Sequence, residues 1–136
     1  MSPLTSGVFF YGLFMDAAVL EAKGINSPAS RRGVVRDWEL RIGHRATLVP
    51  HPGRAVHGVL MSLQLRDLER LYAEPSVAMY RPVAVSVETG GRTVPALAYV
   101  LPEPPALEER NPEYAAGLRV LAERLGLPAE YTRSIT

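Results

Sequence analysis

The stretch Tyr80 to Leu101, YRPVAVSVETGGRTVPALAYVL, decides what kind of fold this chain adopts. Its two halves, Tyr80 to Val87 and Thr93 to Leu101, are rich in β-branched, aromatic and other apolar residues, and Thr89-Gly90-Gly91 between them is a hairpin loop. Strands joined by so short a loop run antiparallel. Pro95 has no amide hydrogen to give to a ladder, so it confines the second strand to a sheet edge or a bulge. Further toward the N-terminus, Val56 to Leu63 alternates as a strand does and passes straight into a helical pattern of Leu65, Leu68, Leu71 and Tyr72. Thr47-Leu48-Val49 reads as a short strand stopped by Pro50 and Pro52-Gly53. Gly33 to Ile42, with Val34, Val35, Trp38, Leu40 and Ile42, reads as one or two strands bent near Arg36-Asp37. Val8-Phe9-Phe10-Tyr11 is a buried strand closed by a tight turn at Gly12. Asp16 then caps a short helix carrying Val19 and Leu20 that ends before Gly24, and residues 26 to 30 form a loop.

Beyond the hairpin, Pro102 to Pro105 makes a stiff connector, with too little chain after it to fold alone. Asn111 as N-cap, Pro112 in the first turn, Glu113 at the positive end and Gly126 at the far end delimit a helix whose buried stripe reads Tyr114, Leu118, Leu121, Leu125. No internal repeat is present. The pattern is α+β, a mostly antiparallel sheet that can close into a small barrel with flanking helices.

A chain of 136 residues corresponds to one domain, residues 1 to 136, large enough to bury a core without a disulfide or metal staple. With 15 basic and 14 acidic residues the formal charge is +1, which gives no pull toward nucleic acid or an anionic membrane. The absence of cysteine excludes thiol nucleophiles, disulfides and cysteine-based zinc sites. No basic segment precedes a long apolar run, and no apolar stretch approaches ~20 residues, so the expectation is a soluble, cytoplasmic domain.

His44, His51 and His57 show no helical i, i+4 pairing and no supporting carboxylates, so a metal site is not expected. Glycine-rich nucleotide-binding loops and the GxSxG nucleophile elbow are absent. What stands out is Glu74. Pro75 biases the residue before it away from the helical region, so the helix should stop at about Glu74, where the negative end of the dipole disfavours carboxylate charge and would favour a proton acceptor. Tyr11-Gly12, Tyr80, Tyr99 and Tyr114 sit at the ends of other elements. Each tyrosine also has a packing reading, by strand propensity or by its place on an apolar stripe.

Taken in order along the chain, these residues resemble the γ-glutamylcyclotransferase superfamily, including its AIG2-like members. The matching segments are Phe10-Tyr11-Gly12-Leu13-Phe14-Met15, Arg45-Ala46-Thr47-Leu48-Val49-Pro50, His57-Gly58-Val59-Leu60, and Leu71-Tyr72-Ala73-Glu74 with Met79-Tyr80-Arg81. The tail adds Asn111-Pro112-Glu113-Tyr114 and Gly126-Leu127-Pro128-Ala129-Glu130-Tyr131, so the resemblance spans nearly the whole chain. It departs from the family pattern where Leu13-Phe14 replaces the frequent Ser-Asn and where Pro75 replaces a glycine.

The resemblance implies a barrel whose cavity holds a γ-glutamyl group. Glu74 would be the acid/base residue, with Val8, Phe9, Phe10, Tyr11, Gly12 and Leu13 cradling the group through the backbone and Tyr80, Tyr99 and Tyr114 lining the pocket. The implied reaction is attack of the α-amine on the γ-carbonyl, releasing 5-oxoproline and an amine or amino acid. The partner implied is a small-molecule γ-glutamyl substrate, and neither metal nor organic cofactor is needed. Two alternatives remain: a non-catalytic small-molecule binding or regulatory module on the same fold, and a cyclotransferase for a γ-glutamylated secondary metabolite or isopeptide.

Overall fold

The computed structural model describes residues 4–26 and 29–136. Five strands, β1 (Thr5–Phe10), β2 (Arg31–Ile42), β3 (Ala46–Gln64), β4 (Arg81–Thr89) and β5 (Arg92–Val100), close into a barrel in the order β1-β3-β2-β4-β5. The expected hairpin forms between β4 and β5, with Gly90 at φ 56° and Gly91 at φ 76° making the reversal. Four of the five contacts are antiparallel. The fifth, between β1 and β5, is parallel and rests on the single matched pair Val8 and Leu97. β5 is therefore not an edge strand, contrary to the reading of Pro95. The exposed Pro95 stands two residues before Leu97, outside that pairing, so no ladder bond is asked of its nitrogen.

The bend expected near Arg36-Asp37 is a register shift between Arg36 and Trp38, with Asp37 at φ 67°. This bulge also corrects the break expected at Pro50 and Pro52-Gly53, because β3 runs unbroken through them. Arg36 pairs with Ala55 and Trp38 with Pro50, so residues 51–54 face only Asp37 and escape the regular ladder. Gly53, at φ 84°, instead donates its N–H to Asp37 Oδ1 at 3.0 Å.

Inside the barrel, Gly33 pairs with Gly58 across β2 and β3, and the ring of Phe9 lies over them. A Cβ on Gly58 would stand 2.8 Å from Phe9 Cζ and collide with the Phe10 carbonyl oxygen, while one on Gly33 would stand 2.5 Å from Val87 Cγ1. The missing side chains thus make room for an aromatic ring among Val8, Val56, Val87 and Ala98, all fully buried.

Helix α1 (Ala17–Ala22) begins at Asp16, whose Oδ1 accepts from the Ala18 N–H at 3.0 Å, and ends ahead of Gly24 at φ 78°. α2 (Leu65–Leu71) follows β3 directly and buries Leu68 and Leu71. It stops at Leu71, three residues before Glu74, which lies in the turns after it, so the Glu74 carboxylate does not sit at the helix's negative end as expected. α3 (Pro112–Arg124) starts as expected, with Asn111 Oδ1 accepting from the Tyr114 N–H at 3.1 Å. Its buried face is Ala115, Leu118, Leu121 and Ala122; Tyr114 and Leu125, expected there, are half-buried at its margin. A short α4 (Ala129–Ser134) was not expected. Ser27 and Pro28, within the loop expected over residues 26 to 30, lie outside the described residues. Among the described residues no helix is long and apolar enough to cross a membrane.

Candidate active site

The barrel's closure sends β1, β2 and β5 to finish, and β3 and β4 to begin, at one end. A cavity of about 230 Å³ opens there. Its size suits a small metabolite better than the ~300–1,000 Å³ sites of larger ligands. Phe10, Tyr11 and Gly12 reach it from the end of β1, and Leu13 and Phe14 from a 3-10 turn at Leu13–Met15, in place of the tight turn expected at Gly12. Gly12 has an extended backbone, φ −118°, so its conformation does not require glycine. Space does: a Cβ there would stand 2.7 Å from the Tyr114 hydroxyl.

Tyr80 at the entry to β4, Tyr99 near the end of β5, Tyr114 in the first turn of α3, and Glu74 also line the cavity. Val8 and Phe9 do not. They are fully buried in the barrel, Val8 paired with Met61 and Phe9 over the two glycines. The lining further includes Lys23, His44, Arg45, Tyr72, Ser76 and Val77, none of them among the residues singled out for a site role. Tyr72 stacks on Tyr99 with ring centroids 3.9 Å apart and planes 8° from parallel, and meets Phe14 edge-on at 5.9 Å. Phe14 in turn meets Phe10 edge-on at 6.0 Å, so one continuous aromatic wall fixes the shape of the cavity.

The phenols are held neutral. Burial pushes the Tyr11 and Tyr72 hydroxyls well above their ordinary range and lifts Tyr80 to about 12. Tyr99 and Tyr114 are raised by the same cause, a Leu13 backbone N–H working against it at Tyr114. Two phenols have fixed acceptors, Tyr11 donating to the Tyr99 carbonyl at 2.6 Å and Tyr80 to the Ala46 carbonyl. At neutral pH these groups are hydrogen-bond donors and cannot serve as bases. Glu74 and His44 remain as proton carriers in the lining. His44 lies exposed at the β2–β3 turn, its backbone N–H bonded to Glu109 Oε1 at 3.3 Å.

Glu74 is engaged by Lys23, whose Nζ lies 2.9 Å from Oε1 and 2.7 Å from Oε2. Nothing in the sequence pairs these residues. Lys23 closes α1 and Glu74 follows α2, and only the packed fold brings them together. Among the described residues no group of three or more His, Asp or Glu side chains converges to hold a metal ion.

The model of the gamma-glutamyl cyclotransferase, AIG2-like family matches residues 8–118. The chain belongs to that family. A solved gamma-glutamyl cyclotransferase superposes with TM-score 0.79 at 21% identity, over 97% of this chain and 86% of that one. An uncharacterized protein from Homo sapiens gives TM-score 0.78 at 21% identity, with 96% and 86% covered. YkqA from Bacillus subtilis gives TM-score 0.77 at 27% identity over 98% of this chain, which spans 52% of YkqA. A comparison with curated protein sequences found no match. The family's shared fold is therefore the α+β barrel described above.

Proposed function

We propose that the protein is a γ-glutamylcyclotransferase, converting a γ-glutamyl amine, amino acid or small peptide to 5-oxoproline and the free amine. The observation that carries this reading is a carboxylate, Glu74, facing a small aromatic cavity whose phenols are all held protonated. Family membership supplies the reaction class.

A γ-glutamyl amide carries its own nucleophile. Glu74 takes a proton from the substrate's α-ammonium, and the freed nitrogen bonds to the γ-carbonyl carbon, closing a five-membered ring. The oxyanion of the tetrahedral intermediate is met by backbone N–H groups at Tyr11 to Leu13 and by the Tyr114 hydroxyl. The Leu13 backbone N–H draws the pKa of that hydroxyl down against the effect of burial, which leaves the group protonated and a donor at neutral pH. The carbon–nitrogen bond to the leaving amine then breaks, and the amine takes the proton from Glu74. The ring nitrogen still carries one proton more than the lactam keeps, and Glu74 relays this second proton to the released amine, which departs as an ammonium; two protons move in all, and no co-reactant enters. Leu13 and Phe14, where the family often has Ser-Asn, leave these main-chain donors in place; Leu13 lies exposed at the cavity.

The second reading, a binding module without catalysis, is favoured by the ion pair that engages both oxygens of Glu74. Incubation of the purified protein with a panel of γ-glutamyl compounds separates the two. The proposal expects 5-oxoproline with at least one member. Saturable binding with no product from any member would support the binding module.

A further inference from the structure

We propose that Lys23 and Glu74 form a charged pair that opens to receive the zwitterionic head of the substrate, Glu74 taking the α-ammonium and Lys23 the α-carboxylate. This rests on the γ-glutamyl reading of the cavity and assigns a substrate-binding role to a residue outside every motif of the sequence.

Both side chains line the cavity, and Lys23 Nζ bridges the two carboxylate oxygens of Glu74 from one edge. While that bridge stands, an incoming ammonium meets a carboxylate whose charge is already matched. A ligand bearing a carboxylate beside its ammonium removes the obstacle, because it hands Lys23 a new partner as it takes Glu74. One ion pair is exchanged for two. Both ligand charges hang on one carbon, so the protein pair need open only by about the width of a carboxylate.

The backbone of Lys23 is built to allow this movement of the side chain alone. Its N–H caps α1 by bonding the Leu20 carbonyl at 3.0 Å, and its own carbonyl accepts from Arg70 Nη2 at 3.3 Å. Leu20 and Ile25 on either side are buried. Arg70 lies in α2 and Glu74 just beyond it, so one segment grips both the main chain and the ammonium of Lys23. The pair itself is half solvated, with side-chain exposures of 29% for Lys23 and 39% for Glu74. An ion pair so exposed separates readily, whereas a fully buried one would not. The other cation of the lining, Arg45, is exposed, and its Nε is already bonded to the Ser76 carbonyl at 3.0 Å.

The consequence is a requirement for a free α-carboxylate. The test compares γ-glutamyl methylamide with 4-aminobutanoyl methylamide, which keeps the amine and lacks the carboxylate, by calorimetric binding and by release of methylamine. The wild-type protein should prefer the first by about 10- to 100-fold, the range of one charge-assisted contact. In Lys23→Met, and in Lys23→Gln as a second variant with a polar side chain, that preference should collapse because the carboxylate-bearing compound alone is weakened. Lys23→Arg should keep it. Preference unchanged in both neutral variants, or equal losses on both compounds, would overturn the proposal and reduce Lys23 to a structural tie between α1 and the turn after α2. Wild-type protein binding neither compound would overturn it as well. Binding with a preference that depends on Lys23, but without 5-oxoproline, would uphold the charged pair and defeat the cyclotransferase reading instead.

Discussion

Glu74 is the residue on which the proposed chemistry depends, and its replacement separates shape from proton transfer. Glu74→Gln keeps the size and one acceptor oxygen but cannot take the α-ammonium proton, so 5-oxoproline release should fall by ~10²–10⁴-fold. The fold should survive, because a pair as exposed as Lys23–Glu74 contributes only ~0–1 kcal/mol. A variant with near wild-type turnover would move the base elsewhere, His44 being the other candidate in the lining. Tyr114→Phe keeps the ring and removes a hydroxyl that lies against Gly12. If that hydroxyl meets the oxyanion, kcat/KM should drop by the equivalent of about 0.5–3 kcal/mol with the melting temperature little changed; unchanged kinetics with a lowered melting temperature would make it a packing residue. Sequence could point to Glu74, Tyr80 and Tyr114 because each sits inside a family segment, and to Tyr99 because the resemblance matches it to a pocket tyrosine late in the hairpin's second strand. It could not point to Lys23, since a lysine ending a helix is accounted for by the dipole alone and its partner lies 51 residues away.

At the scale of elements, local rules succeeded where a local cause was sufficient. The β4–β5 hairpin follows from Gly90-Gly91, the start of α3 from Asn111-Pro112, and the end of α1 from Gly24, each a contact or dihedral within a few residues. They failed where the cause was a neighbouring strand. Pro52 and Gly53 do not interrupt β3 because a bulge at Asp37 absorbs them, Pro50 stays paired with Trp38 beside it, and Pro95 sits within a closed barrel because β1 pairs with β5 at one residue pair only. The helix before Glu74 stops at Leu71, short of the position that Pro75 alone would set. Gly58 is a further case, since its need for glycine comes from Phe9 and the Phe10 carbonyl on another strand. Gly58→Ala should destabilise the protein by about 1–3 kcal/mol, the usual range for an overpacked core, in urea unfolding. A neutral result would show that Phe9 can yield and that the glycine pair does not set the barrel's packing.

For the molecule as a whole, closure of the barrel brings one end of each strand together around a cavity lined with largely buried phenols, and this has a consequence for stability. Tyr11, Tyr72, Tyr80, Tyr99, Tyr114 and Tyr131 all have hydroxyls raised above the ordinary value near 10, chiefly by burial. A folded value above the unfolded one means that the native state holds its protons longer. The associated stability is complete below about pH 10 and is lost progressively as pH rises from there through the folded values, for Tyr80 by about 12. The melting temperature should therefore fall steeply above about pH 10, with tyrosinate absorbance appearing together with unfolding rather than before it. The central claim is intramolecular cyclisation in the cavity, and product stoichiometry tests it most directly. With a γ-glutamyl amide accepted from the panel, the account predicts 5-oxoproline and free amine in equal amounts, no free glutamate, and loss of both products in Glu74→Gln. Free glutamate as the main product, or 5-oxoproline formed equally well by wild type and Glu74→Gln, would contradict it.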